Sequence, residues 1–129
     1  MNKFRKVAKK ISTLVLAGAI IAGSSIVAMA EPVSTYIYPD NYPVNCGYEV
    51  MDFATKIVTF MNAPTEMEMQ MNGYAISAEG KVEISKYTSE GPNLDTSVYC
   101  DDGFTGIYVE FYGWSMDGGY DHTVLEAGL

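Results

Sequence analysis

The fold class of the chain is set by residues 65–87, TEMEMQMNGYAISAEGKVEISKY, in which apolar and polar side chains alternate in three short runs. The methionines of the first run lie two residues apart, so they fall on one face of a strand. Asn72-Gly73 is the pair best suited to a two-residue hairpin, because both central positions of a type I′ turn need positive φ. With a second turn at Glu79-Gly80, the stretch predicts a three-stranded meander with one buried face.

Further strands are expected after this stretch. Asp95–Cys100 is the next one, and the most β-prone run of the chain, Thr105–Trp114, follows it. A glycine-rich turn at Met116–Asp121 leads to a last strand within His122–Glu126. In the run before that turn, an inward face is predicted for three alternating residues, Ile107, Val109 and Phe111. The pattern predicts a mainly β fold, either a small antiparallel β-sandwich or an open barrel-like sheet.

Residues 49–61 allow two interpretations. On a helical wheel their apolar and polar side chains separate cleanly into two halves, as in an amphipathic helix. The β-branched and aromatic content of Thr55–Phe60 favours a strand instead. We expect the strand, because the chain after it is β throughout; the alternative is an α+β fold with an amphipathic helix at 49–61.

The first 30 residues have the pattern of a signal peptide. Five basic residues precede the apolar run Ile11–Ala22, and Ala28-Met29-Ala30 offers small side chains at a cleavage site after Ala30. Glycine and serine interruptions disfavour the alternative, an uncleaved membrane anchor. The lysine-rich start is typical of Gram-positive bacteria. The sequence thus predicts a secreted protein with an extended Pro/Tyr-rich arm at 31–45, including an edge strand near 34–38, and a single β-domain at 46–129.

The sequence Asp95-Thr-Ser-Val-Tyr-Cys100, followed by Gly106-Ile-Tyr-Val-Glu-Phe-Tyr-Gly113, resembles a pattern of small exported β-sheet proteins of Gram-positive bacteria. Those proteins have no assigned activity. The resemblance covers the second half of the chain after residue 30, and it implies an extracellular β-domain without implying a mechanism.

The charge of the chain after Ala30 narrows the choice of partners. Three lysines remain there against 16 acidic residues, a formal charge of −13. Such a surface repels nucleic-acid phosphates and anionic lipids. We therefore expect no nucleic-acid partner and no membrane insertion after cleavage.

Two cysteines in an exported chain predict one disulfide, between Cys46 and Cys100. Closing a loop of that length is worth about 4 kcal/mol in the chain-entropy model. A dithiol or metal site is disfavoured, because such sites use closely spaced cysteines.

The best candidate for ligand binding is the second face of the Thr105–Trp114 run, with Tyr108, Glu110, Tyr112 and Trp114. Aromatic rings two residues apart on a rigid strand can stack on sugar rings or anchor a protein, and Glu110 can accept hydrogen bonds from hydroxyl groups. The alternative is that residues 49–61 or a second sheet bury this face. Exposure of Trp114 distinguishes the two.

A second candidate is a calcium site in the acidic turns, with Asp101, Asp102, Asp117 and Asp121 as oxygen ligands. Their spacing matches no established calcium loop, and solvated turn residues explain the same Asp-Gly pairs. Calcium is the only cofactor that the sequence suggests.

No catalytic residues are assigned. His122 is the only histidine, and no serine or cysteine lies in a recognisable nucleophile motif. We therefore expect a secreted, non-enzymatic β-domain that binds an extracellular or cell-surface glycan or protein. The alternative is a soluble secreted effector, such as an inhibitor, an immunity protein or a toxin-like factor. A small extracellular hydrolase is the third hypothesis, and it requires two close carboxylates in a cleft.

Overall fold

Eight β-strands form most of residues 32–129, which are the residues that the computed structural model describes. The expected signal peptide lies outside the described residues. Within them, the only helix is a single 3-10 turn, Pro39–Asn41, so the mainly β prediction is confirmed. The strands are β1 (Val33–Ile37), β2 (Val44–Met51), β3 (Lys56–Asn62), β4 (Glu68–Ser77), β5 (Gly80–Thr88), β6 (Asn93–Tyr99), β7 (Phe104–Trp114) and β8 (Tyr120–Gly128).

The strands form two four-stranded antiparallel sheets that pack face to face. The first sheet has the order β1-β2-β3-β6, and the second has the order β5-β4-β7-β8. Each sheet keeps two open edges, so the fold is a sandwich and not a closed barrel. Of the two β architectures expected, the structure has the sandwich.

The core lies between the inner faces of the two sheets. The three predicted inward residues of β7 are buried, and so are the methionines of the 67–71 run, none of which has measurable exposure. Flexible thioether side chains fill such an interior well. One polar contact crosses the core, where the Thr59 hydroxyl donates a 3.0 Å hydrogen bond to the sulfur of Met71.

The predicted turn at Asn72-Gly73 is wrong. Both residues lie inside β4, which runs unbroken from Glu68 to Ser77 and pairs with β5 on one side and β7 on the other. Gly73 serves a different purpose there, because a Cβ atom at this position would collide with the backbone carbonyl of Tyr108. The single hairpin of this region turns at Ala78-Glu79.

Residues 49–61 contain two strands, and the amphipathic helix does not form. The prediction of β structure for this segment is confirmed, but the segment holds the end of β2 and most of β3, with a turn between them. Asp52, Phe53 and Ala54 make this turn with φ of 53°, 57° and 68°, three consecutive left-handed residues without a glycine. Phe53 is 76% exposed at its tip.

The predicted disulfide does not form, and both cysteines are free. Cys46 pairs with Met61 of β3, whereas Tyr99, next to Cys100, pairs with Lys56 of the same strand. Five residues along β3 separate these two positions by about 16 Å, far more than the Cα separation of under about 7 Å that a disulfide allows. The sheet register therefore holds the cysteines apart.

The Pro/Tyr-rich segment at the start of the described residues is held against the sandwich. β1 forms the edge of the first sheet, as expected for residues 34–38. The Asp40 carboxylate then accepts hydrogen bonds from the Ser115 hydroxyl at 2.5 Å and from the Gly119 amide at 2.8 Å. The Tyr38 amide donates to Asp121 at 2.8 Å. These bonds tie the segment to the turn between β7 and β8 and to the start of β8.

Candidate functional site

The outer face of the second sheet carries all four predicted ligand-binding residues. Tyr108, Glu110, Tyr112 and Trp114 alternate along β7 on the side away from the core, and each is half-buried. Neither residues 49–61 nor the first sheet covers them, because both belong to the opposite layer of the sandwich. This face is therefore a surface and not part of the core.

Strand β8 adds two more rings to this face. Its register places Tyr120 opposite Trp114 and His122 opposite Tyr112. The four rings form a closed group in which each ring has two neighbours, with centroids 5.5–6.1 Å apart and planes inclined by 12–34°. We call Tyr112, Trp114, Tyr120 and His122 the aromatic cluster.

Glu110 fixes the orientation of two tyrosine rings. One of its carboxylate oxygens accepts a 2.6 Å hydrogen bond from the Tyr108 hydroxyl, and the other accepts a 2.7 Å bond from the Tyr112 hydroxyl. These bonds lower the pKa of Glu110. The same bonding raises the pKa of Tyr108 to about 12 and also raises that of Tyr112. The carboxylate therefore positions the rings.

Strand β4 supplies polar groups beside the rings. Glu68, Gln70 and Asn72 lie opposite Trp114, Tyr112 and Glu110 in the register of the sheet. Carboxylate and amide groups thus line the cluster along one side, where they can form hydrogen bonds with a ligand's hydroxyl groups.

A second pair of rings lies further along the same face. Tyr74 of β4 is opposite Tyr108, with ring centroids 5.4 Å apart. The ammonium of Lys81 lies 4.2 Å from the centroid of the Tyr74 ring, a cation–π contact. Tyr87 donates a 2.6 Å hydrogen bond to Glu68 at the β5 edge.

Sequence reasoning identified the β7 residues of this face but not Tyr74, Tyr120 or His122. A signal for the β8 residues was present, since Tyr120, His122 and Val124 alternate at the spacing of a strand. The missing information was which strand pairs with which, and in what register.

The structure does not bring the four candidate calcium ligands together. Asp101 and Asp102 lie before β7, whereas Asp117 and Asp121 follow its other end, so the 11-residue strand separates the two pairs by about 33 Å. Asp121 accepts bonds from the Tyr38 and His122 amides, and Asp117 accepts one from the Tyr42 hydroxyl at 3.2 Å. Within residues 32–129, no three His, Cys, Asp or Glu side chains converge as a metal site.

An open cavity of about 380 Å³ lies at the other end of β7, near Cys100. Ser77, Glu79, Lys81, Tyr99 and Asp101 contribute to its lining. A hydrogen bond to Asp102 and the negative charge of that residue raise the pKa of Glu79. His122, the only histidine of the chain, lies near the opposite end of β7, so Cys100 has no imidazole beside it. We assign no reaction to this cavity.

No helix in the described part of the chain has the length and hydropathy needed to cross a membrane. Comparison with protein-family models, with curated proteins and with solved structures gave no match to the chain.

Proposed function

We propose that this protein binds an extracellular glycan on the outer face of its second sheet. The observation that carries the proposal is the aromatic cluster, in which four rings from two strands adopt similar orientations on a face that no strand of residues 32–129 covers. Stacking against aromatic faces is a common way to hold the apolar faces of sugar rings.

The polar groups around the cluster suit the hydrogen bonding that sugar recognition requires in addition to stacking. A sugar presents hydroxyl groups around its rim, and those groups need hydrogen-bond partners when water is displaced. Glu68, Gln70 and Asn72 lie in line beside the rings and provide these hydrogen-bond partners. A protein partner would be better matched by an apolar pocket, whereas this face interleaves rings with polar groups.

The rings need little rearrangement before binding. Glu110 holds Tyr112 by a hydrogen bond, and each cluster ring rests against two others. Preorganised side chains lose less entropy when a ligand arrives, which favours affinity on a flat surface.

The proposal includes an extracellular location and no chemical reaction. Residues 1–30 have the signal-peptide pattern, and the high negative charge of the remainder disfavours nucleic acids and anionic membranes. A mobile inhibitory arm at residues 36–45 would favour the alternative, a soluble secreted effector. Those residues are instead tied to the β7–β8 turn through Asp40, so we favour the glycan-binding hypothesis.

Trp114 offers a direct measurement, because it is the only tryptophan in the chain and belongs to the cluster. Purified protein is titrated with soluble oligosaccharides of bacterial and plant cell walls while its fluorescence is recorded. We expect a saturable change, and Tyr120→Ala should weaken binding by about five-fold or more, given about 1 kcal/mol for a lost stacking ring. Tyr99→Ala is the control, since that tyrosine is 65% exposed on the other sheet.

Equal binding by the Tyr120→Ala variant and the unchanged protein would reject the cluster as the site. Absence of a fluorescence change with every glycan in the panel, together with absence of retention on insoluble cell-wall polysaccharide, would reject glycan binding itself. Binding of a protein partner through the same face would then be the better explanation.

A further inference from the structure

We infer that the glycan bound at the aromatic cluster carries positively charged amino groups. This inference rests on the proposed function and specifies the chemical class of the ligand. It follows from the charge of the outer face of the second sheet and from the way that face already holds one of the protein's own ammonium groups.

The outer face is strongly acidic. Among residues 32–129, four glutamates face outward on it, one from each of its four strands, against one lysine, Lys81. Two of them, Glu83 and Glu126, are exposed. The other two are Glu68 and Glu110, whose oxygens accept hydrogen bonds from tyrosines. Hydrogen bonding lowers the pKa of Glu110, so this carboxylate stays ionised in mildly acidic surroundings. A neutral sugar would gain nothing from this field, whereas a cationic one would be attracted by it.

The Tyr74 ring shows how this face receives a cation. The Lys81 ammonium lies 4.2 Å from the Tyr74 centroid, and on the other sheet Lys56 lies 5.5 Å from the centroid of Tyr99. Two of the three lysines in residues 32–129 thus rest on tyrosine rings. Neither of these contacts uses a ring of the aromatic cluster.

The cluster itself combines the two features that attract an ammonium group. It contains the half-buried ring of Trp114, and Trp is the strongest of the aromatic residues in cation–π interactions. It also has Glu68 directly opposite Trp114 in the sheet register. A ligand ammonium can therefore contact a ring and lie near a carboxylate at once, while the sugar ring stacks on the adjacent aromatic group.

The test compares two hexasaccharides that share the same glucosamine backbone, one of them cationic and the other neutral. One is an N-trimethylated glucosamine hexamer, whose charge does not depend on pH, and the other is the N-acetylated hexamer. Binding of each to the purified protein is measured by Trp114 fluorescence at neutral pH, first at low salt and then at high salt. We expect the cationic hexamer to bind at least about ten-fold more tightly at low salt, and this advantage to shrink as salt screens the charges.

Charge-removing variants identify the face responsible. Glu126→Gln is expected to reduce the advantage of the cationic hexamer by a few-fold without changing the affinity for the acetylated one. Asp95→Asn is the matched control, since it removes a carboxylate from the outer face of the first sheet and should leave both affinities unchanged.

The outcomes separate this inference from the proposed function. Equal affinity for the two hexamers, or tighter binding of the acetylated one, overturns the cationic ligand while glycan binding stands. An equal loss in the Asp95→Asn variant also overturns it, because attraction would then come from overall charge. If neither hexamer binds but a neutral glycan from the wider panel does, the inference likewise falls. If no glycan binds, the proposed function fails with it.

Discussion

The hydroxyl of Tyr108 donates a 2.6 Å hydrogen bond to the carboxylate of Glu110, two residues further along the same strand. Side chains two apart on a strand face the same way, so the bond draws the tyrosine ring along β7. Glu110 receives a matching bond from Tyr112 on its other side. One carboxylate thus connects the aromatic cluster to the Tyr74–Tyr108 pair.

We expect the Tyr108 hydroxyl to ionise with a pKa of about 12, above the ordinary value of 10.0. Ionisation would break its bond to Glu110 and place two negative charges side by side. The stabilisation from this bond is therefore complete below pH 10 and is lost as the pH rises from 10 to 12. A carbon-detected NMR titration of the tyrosine rings measures it.

Glu110→Gln should move the pKa of Tyr108 back toward 10.0. Glu68→Gln is the control, because it removes the partner of Tyr87 and should lower the pKa of that residue alone. An unchanged Tyr108 pKa in Glu110→Gln would show that Glu110 does not hold the ring.

Gly73→Ala should lower the free energy of unfolding by about 2 kcal/mol or more, because its Cβ atom would meet the carbonyl oxygen of Tyr108 in the neighbouring strand. Gly128→Ala is the matched control. A Cβ atom there meets no heavy atom within 4 Å, so its effect should stay within about 0.5 kcal/mol. Urea unfolding of the two variants gives the comparison, and equal stabilities would contradict the close approach of β4 and β7.

The two thiols should react very differently with an alkylating reagent in the native protein. Cys46 is buried, and burial raises its pKa to about 12, so it is neither accessible nor ionised at neutral pH. Cys100 is only partly buried and should be labelled first. Mass spectrometry of partly labelled protein distinguishes the sites. A mass two units lower without reductant, with both thiols protected, would instead reveal an intramolecular disulfide and a different register of the first sheet.

Phe53→Asn should raise the free energy of unfolding by about 1 kcal/mol, since a left-handed conformation costs a phenylalanine about 1–2 kcal/mol and asparagine tolerates it. The side chain is 76% exposed, so its removal loses little buried surface. Tyr99→Asn, at an exposed position in an ordinary strand, should lower stability instead. A loss of stability in Phe53→Asn, seen by thermal unfolding, would mean that the ring makes a stabilising contact.

The sequence predicts well what depends on neighbours in the chain. Alternation identified the strands from residue 95 onward and separated the two faces of β7, because a strand repeats every two residues whatever its partners are. Ile107 is therefore buried and Tyr108 is not.

The wrong predictions concern features that depend on residues far apart in the sequence. Asn72-Gly73 has the composition of a turn, yet β7 lies alongside it and requires an extended backbone without a side chain at Gly73. The turn at Asp52–Ala54 contains no glycine or proline, so the usual glycine and proline signals do not predict it. The separation of Cys46 from Cys100 depends on the register of three strands, and residue spacing carries no information about it.

The same limit applies to the candidate site. Tyr112 and Trp114 were identified from their own strand, whereas Tyr120 and His122 joined them only through the pairing of β7 with β8. The cluster is a property of the sheet and not of either strand alone.

The central position of β4 has a further consequence, for the order in which the domain assembles. β5 follows β4 after a two-residue turn, whereas β7 must be brought from far along the chain at a larger cost in loop closure. β5 pairs with both Asn72 and Gly73 and holds them extended before β7 is made. Docking of β7 then gives β4 its second hydrogen-bonded neighbour. We therefore expect the second sheet to grow outward from the β4–β5 hairpin, with the docking of β7 as its slower step.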